Sequence, residues 1–225
     1  MSRSGLEAMV RSSSIMEMVD SDFDLVERWA TGDGSAGDEL TRRHYKSVFR
    51  FFEVRLPGQA EDLTQRTFLA CVEALKKRSL HTSFRSYLFG IARNHVLMHL
   101  RRSATQSNAL ASFGDDGQRP SRQTSLTAVF ARTEEQQLLL AALVDLPPDL
   151  QISMQLYYWD NMSTAEIGEV FSIPPSTVTT RLARARHLIR EHLVAIRATP
   201  PIQAALEADL PAWTRSLVSP EPPSV

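Results

Sequence analysis

Serine, threonine and arginine side chains are concentrated near the start of a basic segment in the last third of the chain. This segment, residues 174–198, contains five arginines and one acidic residue. Small hydroxyl groups permit a close approach to the floor of a DNA groove, and arginine binds phosphates or the edge of a guanine. The segment therefore predicts a surface that reads duplex DNA, with a solvated basic helix that binds nothing as the alternative. The residues expected on that surface are Ser176, Thr177, Thr179, Thr180, Arg181 and Arg184.

Basic and aromatic side chains are interleaved in residues 76–102, which hold seven Lys or Arg residues and no acidic residue. Cations hold the backbone of a single-stranded or partly melted nucleic acid, and apolar surface accepts a base that has left the stack. The candidate contacts are Lys77, Arg78, His81, Arg85, Arg93, Asn94 and His95. The alternative is that the apolar residues of this segment belong to the core, which we expect for most of Phe84, Leu88, Ile91 and Leu97.

A third group of side chains falls on one face of a predicted helix over residues 60–77. Spacings of three, four, seven and eleven residues place its members near one another on the helix surface. A polar face with an exposed leucine suits a protein–protein contact, and an ordinary solvated face is the alternative. The residues are Asp62, Gln65, Arg66, Leu69 and Glu73.

A helix-turn-helix is predicted to position the basic segment. Ser163 and Glu166 have the spacing of a capping box, so the first, short helix is expected to begin at Ser163. A turn over residues 172–174 then leads into a long second helix from Ser176 to about Arg197. The prolines at the start of this helix are tolerated, because the N–H that proline lacks has no partner there. Apolar spacing predicts an inner face made of Val178, Leu182, Ala185, Leu188 or Ile189, and Leu193.

The remaining pattern is helical as well, and no alternating strand pattern occurs, so we predict an all-α protein. Further helices are expected over residues 22–30, 38–55, 60–77 and 84–102, with a break at the glycine-rich run 32–37. The inward residues of the first of these helices are expected to be Phe23, Val26 and Trp29 (or Ala30). The apolar residues of the second are Leu40, Tyr45, Val48, Phe49 and Phe52. The predicted organisation is two small helical domains, residues 22–102 and 132–198, joined by a flexible linker. The tail 1–21, the linker 103–131 and the proline-rich tail 199–225 complete the chain.

Composition excludes several classes of function. The single cysteine, Cys71, excludes a disulfide within one chain. No run of 18 apolar residues and no secretory signal is present, so we expect a cytoplasmic protein without membrane insertion. The sequence contains no glycine-rich phosphate loop, no nucleophile elbow and no suitably spaced pair of acidic residues, so we expect no catalytic residue and no cofactor. His95 and His99 have a metal-binding spacing, but no third ligand lies nearby in the sequence, so no metal site is expected.

Charge is distributed unevenly although the net charge is only −1. Residues 17–39 hold eight acidic residues and one arginine, in contrast to the basic stretch 76–102. Such polarity suggests one face for a basic partner and another for phosphate, or charge blocks that simply face solvent.

Three motifs in order resemble the extracytoplasmic-function (ECF) sigma factors, a group within the sigma-70 family of bacterial RNA polymerase initiation subunits. Residues 61–69, Glu-Asp-Leu-Thr-Gln-Arg-Thr-Phe-Leu, look like the core-binding motif of region 2. Residues 83–94, followed by Leu100-Arg101-Arg102, look like the part of region 2 that recognises the −10 element. Residues 146–190 look like region 4. The chain departs from the family at Arg66, near Arg78, at Ser172 and at Thr179.

The resemblance implies a non-catalytic subunit that binds the polymerase core and recognises a promoter. The Asp62 helix would dock on the clamp helices of the largest subunit, and the flap of the polymerase is a further expected contact. The loop 77–83 and Asn94 would capture a flipped −10 base, whereas the second helix of region 4 would read the −35 element as duplex. An anti-sigma factor is the regulator that such a protein can have. The competing hypothesis is a stand-alone helix-turn-helix regulator, which has no need for the block 60–102.

Overall fold

The computed structural model describes residues 20–75, 82–111 and 141–195. All secondary structure in these ranges is helical, which confirms the all-α prediction. The helices are α1 (Asp22–Ala30), α2 (Gly34–Glu53), α3 (Ala60–Leu75), α4 (Phe84–Ala111), α5 (Pro148–Tyr158), α6 (Thr164–Phe171) and α7 (Pro175–Ala195), with a short 3-10 turn at Pro57–Gln59. None of the helices in this part of the chain is long and apolar enough to cross a membrane.

Helices α1 to α4 form the N-terminal unit. The hydroxyl of Ser21 accepts a hydrogen bond from the Asp24 N–H, and the Asp24 carboxylate accepts one from the Ser21 N–H, so a capping box begins α1. Helix α2 crosses α1 closely at Gly37, where any side chain would collide with the indole of Trp29. The core between these helices and α4 is built from buried side chains that include Leu40, Val48, Phe51, Phe52, Leu88 and Phe89.

Residues 141–195, with helices α5 to α7, form the C-terminal unit. The capping box of Ser163 and Glu166 begins α6 as predicted. Ser172 ends α6 in the left-handed conformation, with φ 55° and ψ 46°, and the chain then enters α7 at Pro175. Gly168 lies so close to the carbonyl oxygen of Ile173 that a Cβ there would be 2.7 Å from it. These features fix the angle between α6 and α7, as a helix-turn-helix requires.

The N-terminal and C-terminal units pack against each other, mainly through α4 and α6. Gly90 faces the carbonyl oxygen of Val170, and the Ser86 hydroxyl donates a 3.3 Å hydrogen bond to the backbone oxygen of Glu166. The sequence predicts two bodies joined by a flexible linker, and most of that linker lies outside the described residues. In this structure the two units nevertheless share a contact surface.

Several boundaries differ from the sequence prediction. Helix α4 continues to Ala111, so residues 103–111 are helical and not linker; no proline or glycine interrupts them, and their alanines favour a helix. Helix α2 starts at Gly34, ahead of the predicted residue 38, because the Asp33 side chain caps it by accepting from the Ser35 N–H. The inward placement of Phe23 was wrong, since this side chain is 66% exposed and Leu25 is buried in its place.

Candidate nucleic-acid interface

The start of α7 presents the predicted duplex-reading residues to solvent. Ser176, Thr177, Thr179, Thr180 and Arg184 are exposed, while Val178, Leu182, Ala185 and Ile189 are buried on the opposite side. The Thr179 and Thr180 hydroxyls donate to the carbonyl oxygens of Pro175 and Ser176 at 3.2 and 3.1 Å. These bonds fix the hydroxyl protons and leave oxygen lone pairs available outward. The predicted face is therefore accessible, and its contact with DNA stays a prediction.

Arg181 differs from its neighbours on α7 because it is half-buried. Its guanidinium carbon lies 4.8 Å from the centroid of the Phe171 ring, and its Nη2 lies 3.7 Å from a carboxylate oxygen of Asp149. Both partners belong to the C-terminal unit. Arg181 is therefore held at the edge of the reading face and is not extended into solvent.

Arg93 reaches the same two partners from the N-terminal unit. Its Nη2 donates a 2.9 Å hydrogen bond to Asp149 Oδ1, and its guanidinium carbon lies 4.5 Å from the centroid of the Phe171 ring. We call the four residues Arg93, Asp149, Phe171 and Arg181 the arginine clasp. The clasp joins an arginine predicted to contact melted DNA to one predicted to contact duplex DNA.

The other candidates for contact with melted DNA are placed differently. Asn94 is exposed, as a nucleic-acid contact requires. Arg85 is half-buried and donates a hydrogen bond to the backbone oxygen of Asp160 in the C-terminal unit. His95 is half-buried, and its pKa is lowered, first by burial and then by the charge of Arg66. Lys77, Arg78 and His81 lie outside the described residues.

A second polar cluster, which the sequence prediction missed, lies between the units around Asp160. The Asp160 carboxylate is buried and accepts a 3.1 Å hydrogen bond from Arg50 Nη2. Burial raises the pKa of Asp160 to about 6 despite the opposing charges of Arg50, Arg85 and Arg55. Arg55 bonds to Gln151 and Gln155 of α5, and burial lowers its pKa to about 9. No sequence signal pairs these residues, because about a hundred positions separate them along the chain.

The predicted protein-binding face of α3 is exposed in the structure. Asp62, Gln65, Arg66, Leu69 and Glu73 all reach solvent, and Leu69 is 61% exposed although it is a large apolar residue. Arg66 and Asp62 form an ion pair at 2.9 Å along the helix. The shared exposed face is confirmed, and the partner that it binds stays a prediction.

The described residues contain no group of three or more His, Cys, Asp or Glu side chains placed to hold a metal ion. His99 Nε2 instead lies 3.5 Å from the Ser103 hydroxyl. Cys71 is buried and free, and burial raises the pKa of its thiol to about 12.

Comparisons with known proteins agree with this arrangement. The family model for Sigma-70 region 2 matches residues 39–106, and the model for Sigma-70, region 4 matches residues 136–189. Helices α3 and most of α4 fall in the first match, and α5, α6 and most of α7 fall in the second. Both surfaces described above therefore lie within the matched regions.

Relatives of known name cover most of the chain. The ECF RNA polymerase sigma factor SigE of Mycolicibacterium smegmatis is 32% identical over 171 residues, which are 73% of this chain and 65% of that relative. The ECF RNA polymerase sigma factor SigC of Mycobacterium tuberculosis is 30% identical over 162 residues, 70% of this chain and 83% of the relative. The ECF RNA polymerase sigma-E factor of Escherichia coli is 27% identical over 172 residues, 73% of this chain and 90% of the relative.

Solved structures share the fold. CnrH, in complex with the cytosolic domain of CnrY, has a TM-score of 0.57 at 22% identity and covers 78% of this chain and 99% of its own. The sigma factor RpoE of Bartonella quintana, in complex with the anti-sigma factor NepR, has a TM-score of 0.51 at 20% identity and covers 69% and 95%. With regions 2 and 4 matched in order and SigC covered over 83% of its length, the chain belongs to the ECF sigma factors of RNA polymerase.

Proposed function

We propose that this protein binds the core RNA polymerase and directs it to promoters through two separate DNA contacts. The C-terminal unit reads the −35 element as intact duplex, and the N-terminal unit engages the −10 element as its strands separate. The observation that carries this proposal is the order of two sigma-70 regions, each bearing an accessible polar helix face. A stand-alone helix-turn-helix regulator is disfavoured, since it has no need for region 2.

Helix α7 supplies the −35 contact in this proposal. Its N-terminal turns carry exposed hydroxyl groups at positions 176, 177, 179 and 180, and Arg184 lies on the exposed side of the next turn. A recognition helix places its N-terminal residues against base edges in the major groove. Arg184 and Arg181 then contact phosphates or a guanine edge, which requires Arg181 to leave Phe171 and Asp149.

Helix α4 and the residues before it supply the −10 contact. Asn94 is exposed and can contact DNA in the arrangement that the structure shows. Arg85 and Arg93 instead donate hydrogen bonds to the C-terminal unit. Bringing the basic side chains of this helix to DNA therefore requires the two units to separate. Lys77, Arg78, His81 and His95 complete the proposed −10 surface.

Helix α3 supplies the contact with the polymerase core. Its exposed face combines two carboxylates, an amide and an arginine with the exposed apolar side chain of Leu69. An apolar residue surrounded by polar groups is the usual pattern of a protein interface. We propose that this face binds the clamp helices of the largest subunit and that region 4 contacts the flap.

In this proposal the protein itself makes and breaks no covalent bond, because the polymerase performs the chemistry. The work of such a subunit on the chromosome places it in the cytoplasm. We propose an anti-sigma factor as a regulator of this protein, because RpoE of Bartonella quintana has the same fold and was solved in complex with the anti-sigma factor NepR.

In vitro transcription with core polymerase over a library of promoter sequences tests the proposed function. We expect start-site-specific transcripts that require both the protein and a defined pair of DNA elements. Failure to bind core polymerase, or transcripts that do not depend on the promoter sequence, would overturn the proposal.

A further inference from the structure

Three arginines of the N-terminal unit surround one buried carboxylate at the end of α5. The residues of this group, which we call the Asp160 cluster, are Arg50, Arg55, Arg85, Gln155, Trp159 and Asp160. Of the described side chains, only Arg50 pairs with the carboxylate, at 3.1 Å. Arg85 donates to the backbone oxygen of Asp160, and Arg55 donates to neutral oxygens that include Gln155 Oε1. Three guanidinium charges against one carboxylate leave an excess of two positive charges.

This excess charge lies where bulk water does not reach. The Asp160 side chain has no exposed surface, and burial is the largest cause both of its raised pKa and of the lowered pKa of Arg55. A charge removed from water destabilises the folded state unless an opposite charge compensates it. The cluster therefore has an electrostatic need for negative charge that Asp160 alone does not meet.

The hydrogen-bonding groups of the cluster show the same imbalance. Four donor atoms are buried without a hydrogen-bond partner among the described residues, namely Arg50 Nε, Arg55 Nη2, Gln155 Nε2 and Trp159 Nε1. Asp160 Oδ2 is the one acceptor of the cluster in that condition. The four donors belong to adjoining residues, because Arg55 bonds to Gln155, Arg50 reaches the Trp159 carbonyl at 3.4 Å, and Gln155 lies one helical turn before Trp159. The group that these donors lack is an acceptor.

A water molecule and a small anion differ in how they would meet these two needs. Buried water bonds to polar groups that lack partners, but it brings no charge and donates as well as accepts. A halide ion only accepts, and it compensates one positive charge. Because the donor atoms are enclosed, a single-atom anion fits the site better than a phosphate or a carboxylic acid.

We propose that the Asp160 cluster binds a small inorganic anion, represented by chloride, between the arginines of the N-terminal unit and the end of α5. The ion accepts hydrogen bonds from Arg55 Nη2, Gln155 Nε2 and the indole N–H of Trp159. This inference goes beyond the proposed function and does not depend on it. A ligand that binds only the folded protein stabilises it by mass action, so the proposal predicts stability that depends on chloride.

The test heats the full chain in mixtures of sodium chloride and sodium glutamate at constant ionic strength. Glutamate is too large to enter an enclosed site, so it serves as the reference anion. We expect Tm to rise by about 3 to 6 °C for each tenfold increase in chloride concentration beyond half-saturation. In crystals grown with sodium bromide, anomalous scattering should locate a bromide ion within hydrogen-bonding distance of Arg55 and Trp159.

Two variants change the site without removing its arginines. Gln155→Glu keeps the shape of the side chain and places a carboxylate beside Arg55, so Tm should no longer depend on chloride and should be raised in glutamate alone. Trp159→Phe keeps an aromatic ring but removes the N–H donor, so the half-saturating chloride concentration should increase about tenfold. Gln59→Glu is the matched control, because it makes the same substitution at an exposed position and should keep the chloride dependence of the unmodified chain.

A Tm of the unmodified chain that is the same in chloride and in glutamate would overturn the inference. A chloride dependence that persists unchanged in Gln155→Glu would overturn it as well, because the ion would then act elsewhere on the protein. The bromide crystals test the site without any substitution, and water in place of bromide at the cluster would also contradict the proposal. None of these results bears on promoter recognition, which the transcription experiment tests separately.

Discussion

Replacing Asp160 by alanine removes the carboxylate that joins the two units at the centre of their polar cluster. Asp160 has no exposed side-chain surface, and its Oδ1 lies 3.1 Å from Arg50 Nη2. Removing one partner of a buried ion pair lowers the stability of the folded state by about 3 to 5 kcal/mol, because the other charge is left buried without a partner. We expect a smaller loss of about 2 to 3 kcal/mol here, since the Arg50 side chain is 22% exposed and keeps some of its hydration.

The location of this pair decides how the loss appears. Arg50 lies on α2 and Asp160 follows α5, so separation of the units returns Arg50 to water without unfolding either helical core. In this variant the N-terminal and C-terminal units are therefore expected to separate before either of them unfolds. Small-angle X-ray scattering should show a larger radius of gyration for Asp160→Ala, and thermal unfolding should begin at a lower temperature.

The matched control for this prediction is Asp145→Ala. Asp145 is 58% exposed, and its 3.2 Å contact with His192 lies within the C-terminal unit, so the radius of gyration should not change. An Asp160→Ala variant that is as compact and as stable as the unmodified chain would refute the reasoning. Such a result would mean that the buried pair does not hold the units together.

Three further predictions follow from individual side chains. Ser172→Gly should stabilise the protein by about 1 kcal/mol in chemical denaturation, because Ser172 has a φ of 55° and glycine adopts that conformation without steric cost; no gain would indicate that the hydroxyl compensates for the strain. Arg184→Ala should weaken −35 duplex binding by about 1 to 3 kcal/mol in an anisotropy titration if it touches a base edge, and unchanged affinity would count against this face of α7. Lowering the pH from 7 towards 5 should favour the arrangement in which the two units are packed together. Burial between the units raises the pKa of Asp160 to about 6, so the packed protein binds the proton more tightly than the separated one. Asp160→Asn should lack this pH dependence of the radius of gyration, and a dependence that persists in that variant would assign the effect to another group.

Features encoded by neighbouring residues were predictable from the sequence. The capping box at Ser163 and Glu166 sets the start of α6, and the apolar spacing of Val178, Leu182 and Ala185 sets the buried side of α7. These signals act over three to seven residues, which is the range in which helix periodicity operates. The exposed face of α7 follows directly from that pattern.

The phase of short helices was less predictable. Helix α1 offers Phe23, Leu25 and Val26 within one turn, and the larger residue is the exposed one. The choice depends on how α1 packs on α2 at Gly37, where Trp29 takes up the available space. Neither the position nor the size of that contact can be read from α1 alone.

The interface between the units could not be predicted from the sequence. Arg50 and Asp160 are 110 positions apart, and Arg93 and Asp149 are 56 apart. Arg and Asp are residue types that usually lie at the protein surface, so the sequence around each of these residues does not indicate that it is buried or paired. The sequence prediction of basic DNA contacts at Arg85, Arg93 and Arg181 accordingly missed that all three are engaged by the C-terminal unit in this structure.

We propose that the protein binds duplex DNA with α7 and separating DNA strands with α4. Footprinting of the polymerase complex on a promoter reports the −35 contact, and permanganate detection of unpaired thymines reports opening of the −10 element on the same DNA. We predict that Asn94→Ala keeps the −35 footprint and loses permanganate reactivity at the −10 element. Unpaired thymines at the level of the unmodified protein, or loss of the −35 footprint together with opening, would contradict the division of labour between the two helices.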